Sequence, residues 1–582
     1  MGTTTSAVLT PEQNDLAFLG ERFPFGNAEF KHLYRAYHAI QALPPTEHSS
    51  FLVEWAVACT DSSPGIAAAI NTADESIDEL RAERQTLLQA VEQNILPPNF
   101  GNRLYETAFL VAGDASLYAS CETKSTTGPE VTDAYTHRAR LERFFQGLSD
   151  SGRRGTKAAM TVLFGVCQAV QVESVATSNN VKTTTIRTRR VRATEFVDMG
   201  YRLALATAFL QAADTPDGSA DMAAFLKFAL VANDATLQAL ASSIVEWGKR
   251  RLERAALGLA TSKEDEDPNL QQGFVELEDI LEWASEVAPV FASILPTFTF
   301  HIFFPGRLNP PSRTAFDFPR ILSKSIFFEA PTSPLLFTFG CLSSSLNGSY
   351  YRLYTSAADG LSFNRLQNSL LGYAGPTLLI IRAVSGGIFG AFTASQWKEA
   401  KDFYGNTDCF LFQMAPVTAV YRPTGSNSNF MYCNSNARSK GYDQQAHGIG
   451  FGGTVQEPRF FVEESFDNCV AGNRDLTFEN GVLLPKTASG GVRKHFEIHA
   501  LEVWGVGGDD VVQQALGARA EARSVKDEAM RRARKVDKAA FLDDFRSGVI
   551  ESKAFQHVSQ VQGRADHNPE ERTGKSGYEY AK

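Results

Sequence analysis

Three alternating polar residues, His495, Glu497 and His499, are of types that could bind a metal ion. Two imidazoles and a carboxylate are ligands that zinc uses in catalytic sites. On one continuous strand all three side chains would share a face, opposite Phe496 and Ile498. Neighbouring side chains on one strand face converge poorly on a single ion, so the alternation favours a polar face in solvent. We therefore predict no bound metal and no cofactor, with a metal-dependent enzyme as the alternative.

A glycine-rich segment, HGIGFGG at His447–Gly453, has the composition of a phosphate-binding loop. A dinucleotide-binding loop stands between a strand and a helix, and the amino terminus of that helix holds the phosphates. Here the glycines are followed by Thr454–Pro458 and by a second predicted strand, Arg459–Glu463. The segment therefore predicts close approach of two adjacent strands rather than a nucleotide site.

Nucleophilic catalysis has no sequence motif in this chain, which contains no Gly-x-Ser-x-Gly segment. The seven cysteines show neither a disulfide framework nor metal-ligand spacing, which is typical of reduced thiols. Cys409, Cys433 and Cys469 lie within strand patterns and are predicted to be small core residues. We predict no catalytic residue.

A long charged helix is predicted at Asp509–Ala540. Between Arg519 and Lys538 it carries eight basic and four acidic side chains, beside a narrow stripe of alanine and valine. Such a stripe buries little area, but it permits close approach to a partner. The predicted partner-binding residues are Val525, Ala529, Ala533, Val536, Phe541, Leu542 and Phe545. The alternative is a charged single helix lying in solvent.

The amino terminus carries a possible lipid signal, since Gly2 followed by Ser6 fits the N-myristoylation pattern. One acyl chain binds a membrane only marginally, so a second contact is required. The polar segment 173–194 could supply it as a basic patch for an anionic membrane surface. Its basic residues are Lys182, Arg187, Arg189, Arg190 and Arg192. The alternative interpretation of this segment is a mobile, solvated loop.

Residues 1–260 are predicted to form a helical, EF-hand-like domain. Thr10 and Pro11 have the types expected at a helix start. A calcium loop requires oxygen ligands at alternating positions, glycine at the sixth position and glutamate at the twelfth. The segment from Asp214 has Phe225 at the twelfth position, and the segment from Asn71 lacks the glycine. We expect no calcium binding.

The remaining regions follow from composition. Residues 261–310 are predicted as a linker with an amphipathic helix, 311–508 as a strand-rich domain, 509–550 as the C-terminal helix and 551–582 as a polar tail. The hydrophobic content of 43% allows several cores. The net charge of −10 excludes a general nucleic-acid binder, which requires a basic face. The most apolar short segment, 294–304, is too short to span a bilayer.

The strand-rich region resembles the TLDc domain. The resemblance rests on GSYYRLYTSAADGLSFNRLQNSLLGYAGPTLLIIR from Gly348, on the glycine-rich segment at 447–453 and on FEIHALEVWGVG from Phe496. It implies an α+β protein with a β-sandwich flanked by helices, acting as a binding module without an established reaction. The order of the regions is similar to the branch of the family that is linked to TOR signalling.

The resemblance also carries functional expectations. It implies binding to the vacuolar proton-pumping ATPase, with the C-terminal helix as an additional contact, and placement on the lysosomal or vacuolar surface through myristate. We expect a non-enzymatic, peripheral membrane adaptor on the cytoplasmic side. The alternative is an adaptor for TOR signalling or oxidation resistance that does not bind the pump.

Overall fold

The structure is a computed structural model. It describes residues 11–20, 31–32, 34–35, 38, 77–108, 152–167, 170–176, 184–213, 234–258, 268–304, 316–435, 446–484 and 493–546. The chain forms two compact units, Met1–Ala515 and Leu516–Lys582. The combination of helices and antiparallel sheets confirms the α+β fold class.

Helices dominate the described residues before 304. They are α1 (Pro11–Gly20), α2 (Ile77–Asn94), α3 (Phe100–Ala108), α4 (Gly152–Val166), α5 (Ala193–Ala213), α6 (Ala235–Gly258), α7 (Pro268–Gln271), α8 (Leu277–Glu286) and α9 (Ile294–Phe303). Helix α5 is apolar around most of its circumference, which is typical of a helix enclosed by neighbours. Among the described helices, none has both the length and the apolar character needed to cross a bilayer.

The basic segment 173–194 is not a loop where the structure describes it. Strands β1 (Val170–Ala176) and β2 (Thr184–Arg192) form an antiparallel hairpin, and β2 pairs further with β3 (Phe274–Val275). The prediction of a solvated loop is therefore wrong for these strands. The residue types could have indicated this, because Thr184–Arg192 is rich in β-branched threonine, isoleucine and valine.

Twelve further strands build two larger sheets. The seven-stranded sheet has the order β4 (Arg320–Ile321), β5 (Ser349–Thr355), β15 (Ile498–Gly505), β6 (Thr377–Ala383), β7 (Ile388–Thr393), β8 (Phe410–Ala415) and β9 (Ala419–Tyr421). The five-stranded sheet has the order β10 (Tyr432–Asn434), β11 (Gly448–Gly453), β12 (Pro458–Glu463), β13 (Cys469–Gly472) and β14 (Arg493–Phe496). Short helices α10 (Pro334–Leu342), α11 (Ser356–Asp359) and α12 (Phe363–Leu371) connect the first strands.

The two sheets pack face to face as a sandwich. On the inner face of the large sheet, Phe389 in β7 contacts Phe460 in β12, with ring centroids 5.3 Å apart, and Phe496 in β14, at 5.1 Å. The outer face carries the alternate residues of the same strands, as the two-residue period of a strand requires. There Phe412 in β8 packs against Phe339 in α10, at 5.1 Å.

The helices before residue 304 and the large sheet share one hydrophobic core. A single cluster of buried residues extends from Leu88 in α2 to Val506, just after β15. The predicted boundary at residue 260 therefore does not separate two cores. The described part of the region predicted as a linker and amphipathic helix, 261–310, contains α7, α8 and α9, and Trp283, Phe291 and Phe298 are fully buried within it.

Helix α13 (Asp509–Arg546) has 38 residues and follows the last strand of the large sheet. Gly507 and Gly508 precede it with φ values of 113° and 92°, a region that side chains disfavour. Val512 and Ala515, within the first unit, are buried. The predicted long C-terminal helix is confirmed over the described residues.

Candidate interaction surface

The structure places two of the three candidate metal ligands, His495 and His499, in different sheets. His495 lies on β14 and pairs with Val470, whereas His499 lies on β15 and Glu497 lies between the two strands. The prediction of one continuous strand is wrong because the chain changes sheets at Glu497. All three side chains are exposed, as expected for a polar face. In the described residues no group of three or more His, Cys, Asp or Glu side chains is arranged to hold a metal ion.

The glycine-rich segment forms strand β11. As predicted, its glycines allow close approach to the adjacent strand. A turn at Thr454–Glu457 leads directly into β12, and β11 pairs antiparallel with it. A Cβ atom at Gly448 would lie 2.2 Å from the carbonyl oxygen of Val462, so only glycine fits there. No helix amino terminus follows the segment, whose residues to 463 are all described.

The cysteine prediction is confirmed for Cys409, Cys433 and Cys469, which are free and buried. Burial raises the pKa of the Cys433 thiol to about 12 and that of Cys469 to about 11. Burial also raises the pKa of Cys409. Since the thiolate is the nucleophile, these three thiols are poorly suited to covalent catalysis.

A buried ion pair supports the loop after β13. Arg459 and Asp475 are 3.0 Å apart at Nη1 and Oδ1, and their side chains are 0% and 3% exposed. The other oxygen of Asp475 accepts hydrogen bonds from the backbone N–H groups of Gly453, Thr477 and Phe478. Sequence reasoning missed this pair, although an arginine beside Phe460 and Phe461 in an apolar strand was an available signal.

The same loop presents an apolar side chain to solvent. Leu476 is 72% exposed, while its neighbours Thr477 and Phe478 are fully buried. Thr424 donates a hydrogen bond to the Leu476 carbonyl and another to the Thr477 carbonyl, which ties the loop to the strand region after β9. An apolar side chain on a braced loop loses little conformational entropy on binding, so Leu476 is a candidate contact residue of the sandwich.

The predicted basic patch is only partly available for contact. Arg190 is 7% exposed and forms an ion pair with Glu276, with Nη2 and Oε1 2.8 Å apart. The prediction that Arg190 is an exposed membrane contact is therefore wrong, because its side chain is buried and its charge is paired with that of Glu276. Arg189 and Arg192 are exposed. Lys182 and the side chain of Arg187 lie outside the described residues.

The predicted partner-binding residues lie on α13, and those whose side chains the structure describes are exposed. Residues 521–530 are all exposed, including Ala529, and the apolar side chains of Val525 and Leu542 are 68% and 47% exposed. Ala533, Val536, Phe541 and Phe545 belong to the same helix, but their side chains lie outside the described part. Gly2 and the two calcium-loop candidates, from Asp214 and from Asn71, also lie outside it.

The start of α13 is fixed by a charged contact within the first unit. Asp509 Oδ1 accepts a hydrogen bond from the Ser349 N–H at 2.7 Å, and Oδ2 lies 2.8 Å from the Arg320 guanidinium. Partial burial raises the pKa of Asp509, but the Ser349 and Arg320 interactions outweigh it, and the net pKa is lowered. The carboxylate therefore stays charged at neutral pH, where an acidic residue also suits a helix amino terminus.

Comparison with known proteins identifies the sandwich. Residues 337–507 match the model of the TLDc domain, which confirms the resemblance seen in the sequence. The chain is 33% identical over 157 residues to the Xenopus laevis protein named MTOR-associated protein MEAK7, covering 27% of this chain and 31% of that protein. The Gallus gallus protein of the same name is 30% identical over 182 residues, covering 31% and 36%.

A second group of relatives matches a shorter region. Oxidation resistance protein 1 of Xenopus tropicalis is 28% identical over 123 residues, covering 21% of this chain and 14% of that protein. The chain spans about a third of the length of the MEAK7 proteins in these matches.

Proposed function

We propose that this protein is a non-enzymatic adaptor that binds and regulates the vacuolar proton-pumping ATPase through its TLDc sandwich and α13. The observation that carries the proposal is the exposure of α13, a 38-residue helix with Val525 68% exposed. A helix that leaves apolar side chains such as Val525 and Leu542 in solvent is suited to helix-in-groove recognition. Leu476 is the candidate contact on the sandwich.

The choice of partner rests on the resemblance to TLDc proteins, which implies the proton pump. The names of the relatives support two broader themes, association with TOR and resistance to oxidation. The absence of a reactive thiol among Cys409, Cys433 and Cys469, each buried with a raised pKa, is consistent with a role in binding.

Membrane placement is part of the same proposal. Myristate on Gly2 would give one marginal membrane contact, and binding to a membrane-embedded pump would give the second. The protein would then lie on the cytoplasmic side of the lysosomal or vacuolar membrane. This arrangement does not require the basic β1–β2 hairpin, in which Arg190 already forms an ion pair with Glu276.

Charged substitutions on α13 test the pump contact. Full-length wild type, Ala529→Glu, Val525→Glu and Arg523→Glu are compared for binding to purified proton pump, with circular dichroism to verify folding. Glutamate is a good helix former, so the helix should persist. A buried, unpaired carboxylate costs several kcal/mol, so we expect the first two variants to lose about a hundredfold or more in affinity.

Arg523→Glu is the matched control. It lies about 120° around the helix from Ala529, at 100° per residue, and should change the affinity far less. Equal affinities of all four proteins would remove α13 from the proposed contact and leave the sandwich as the only binding element.

The second candidate function is an adaptor for TOR signalling or oxidative-stress resistance without pump binding. The names of the MEAK7 and oxidation resistance relatives favour it. Isolation of the full chain from cells under mild conditions discriminates the two. Recovery of TOR components without any pump subunit would support this candidate and contradict the first.

A further inference from the structure

The apolar face of α13 has a regular repeat. Its residues recur at intervals of eleven, with the same residue type at each equivalent position: Ala518, Ala529 and Ala540; Ala522 and Ala533; Val525 and Val536. Eleven residues make three turns at about 3.67 residues per turn, close to the 3.6 of a straight helix. These seven residues, here called the eleven-residue face, therefore stay on one side of α13 from Ala518 to Ala540.

The eleven-residue face is symmetric about Ala529. Its members lie four, seven and eleven positions before and after this residue. If two copies of the helix run antiparallel with Ala529 at the centre, Val525 of each copy lies opposite Ala533 of the other. Ala522 then lies opposite Val536. Every valine meets an alanine, so large and small side chains alternate across the contact and the backbones can approach closely.

Charges beside this face favour the same pairing. At 100° per residue, Glu521, Glu528 and Arg532 lie along one border of the face, and Arg519, Lys526 and Asp537 lie along the other. In an antiparallel pair each border meets the same border of the second copy, as in coiled coils. Glu528, which pairs with Arg532 of its own helix at 2.6 Å, then also lies within one turn of Arg532 of the second copy. Arg519 lies within one turn of Asp537 of the second copy.

A parallel pair would lack this complementarity. Residues 530–540 carry five basic side chains and one acidic side chain, whereas 518–528 carry three of each. Parallel helices would place the two strongly basic halves side by side, and antiparallel helices place each of them beside a neutral half. The exposure of Val525, Ala529 and Glu528 leaves this part of the helix accessible.

We propose that α13 pairs with α13 of a second copy of this chain as a symmetric antiparallel dimer centred on Ala529. The inference does not rest on the proposed function. The dimer would use the same face of α13 as the proposed pump contact, so a second copy and the pump would compete for the helix. Self-association would therefore reduce pump binding at high protein concentration.

Cysteine cross-linking of the full-length protein tests the geometry. Ala529→Cys should form a disulfide-linked dimer in a glutathione buffer, because Ala529 of the two copies meets at the symmetry axis. Val525→Cys is the matched control on the same face. In the antiparallel pair its two copies lie eight residues apart along the axis, about 12 Å, and should not link. A mixture of Val525→Cys and Ala533→Cys should link again.

Wild type sets the background of the native cysteines, of which the five described are buried. Sedimentation without any pump should give a mass approaching twice 63.7 kDa at tens of micromolar protein, and Ala529→Glu should return it to the monomer. Linking of Val525→Cys alone as strongly as Ala529→Cys would overturn the antiparallel register. A monomeric wild type in which Ala529→Cys does not link would overturn the dimer and leave the pump proposal unaffected.

Discussion

Arg459 on β12 and Asp475 on the loop after β13 place two opposite charges in the interior, where their side chains are 0% and 3% exposed. Burial lowers the pKa of Arg459, and the Asp475 carboxylate opposes that shift. The Arg459 guanidinium also donates to the Gly481 carbonyl at 2.7 Å and lies over the Tyr421 ring. The pair thus connects strand β12 to both ends of the loop that exposes Leu476.

Breaking the ion pair between Arg459 and Asp475 should destabilise the folded protein. We predict that Asp475→Asn lowers the free energy of unfolding by about 3–5 kcal/mol, because Arg459 keeps a buried charge without a partner. Urea denaturation followed by fluorescence measures the change. The matched control is Glu528→Gln, which removes the exposed pair with Arg532 and should cost less than about 0.5 kcal/mol. Similar losses in both variants would contradict the special role of the buried pair.

Single residues were the hardest part of the site to anticipate from sequence. The burial of Cys409, Cys433 and Cys469 follows from their apolar neighbours, so it could be predicted. The partner of Arg459 could not, because Asp475 lies sixteen residues away across a loop whose course the local pattern does not specify. Arg190 shows the same difficulty, since Glu276 is distant in sequence.

At the level of elements, helix α9 carries a histidine side chain that is completely buried in the core. Its His301 is 0% exposed, its Nε2 lies 3.1 Å from Gln211 Nε2, and its carbonyl accepts a hydrogen bond from Arg84. Burial lowers the pKa of His301 to about 4, and the positive charge of Arg84 contributes in the same direction. The imidazole is therefore neutral in the folded protein over most of the acidic range.

The lowered pKa of His301 makes the stability of the folded protein depend on pH. Below pH about 6.5 the unfolded chain binds a proton at His301 that the folded protein does not accept until pH about 4, so stability falls as the pH falls. By pH 5 this group should remove about 2 kcal/mol relative to pH 7. His301→Gln should reduce the loss in stability between these pH values, as measured by urea denaturation at each pH.

The comparison uses the change between pH 7 and pH 5 in each protein, so a lower overall stability of the variant does not affect it. An identical change in wild type and His301→Gln would mean that His301 takes up its proton normally and is not isolated in the core.

Elements with a clear local pattern were predictable, and those fixed by distant partners were not. The helical half, the long α13 and the β11–β12 pair follow from periodicity, charge and glycine spacing. The β1–β2 hairpin was missed because its arginines are typical of a solvated segment, while its pairing with β3 is a distant contact. The division of the segment after Arg493 into two strands was missed because apolar alternation continues through the corner at Glu497.

For the whole molecule, the proposed membrane attachment depends on Gly2 at the start of the chain. We predict that Gly2→Ala moves the protein from the membrane fraction to the soluble fraction, because loss of the acyl chain removes one of two weak contacts. Thr3→Ala is the matched control, since it retains both Gly2 and Ser6. Membrane fractionation of cells expressing each variant gives the result. An unchanged distribution of Gly2→Ala would indicate that protein partners alone hold it there.

The core shared by the helices and the large sheet limits how this protein can be divided. The match to the TLDc model begins at residue 337, inside α10, but earlier helices, among them α6, also cover the outer face of the large sheet. Phe410, Phe412 and Met414 on β8 belong to that covered face. A fragment limited to 337–507 would keep most of α10 on that face, but it would lose the earlier helices and expose apolar side chains of the large sheet to solvent. The stretch of chain that is needed to enclose this core is therefore longer than the stretch that the TLDc model matches.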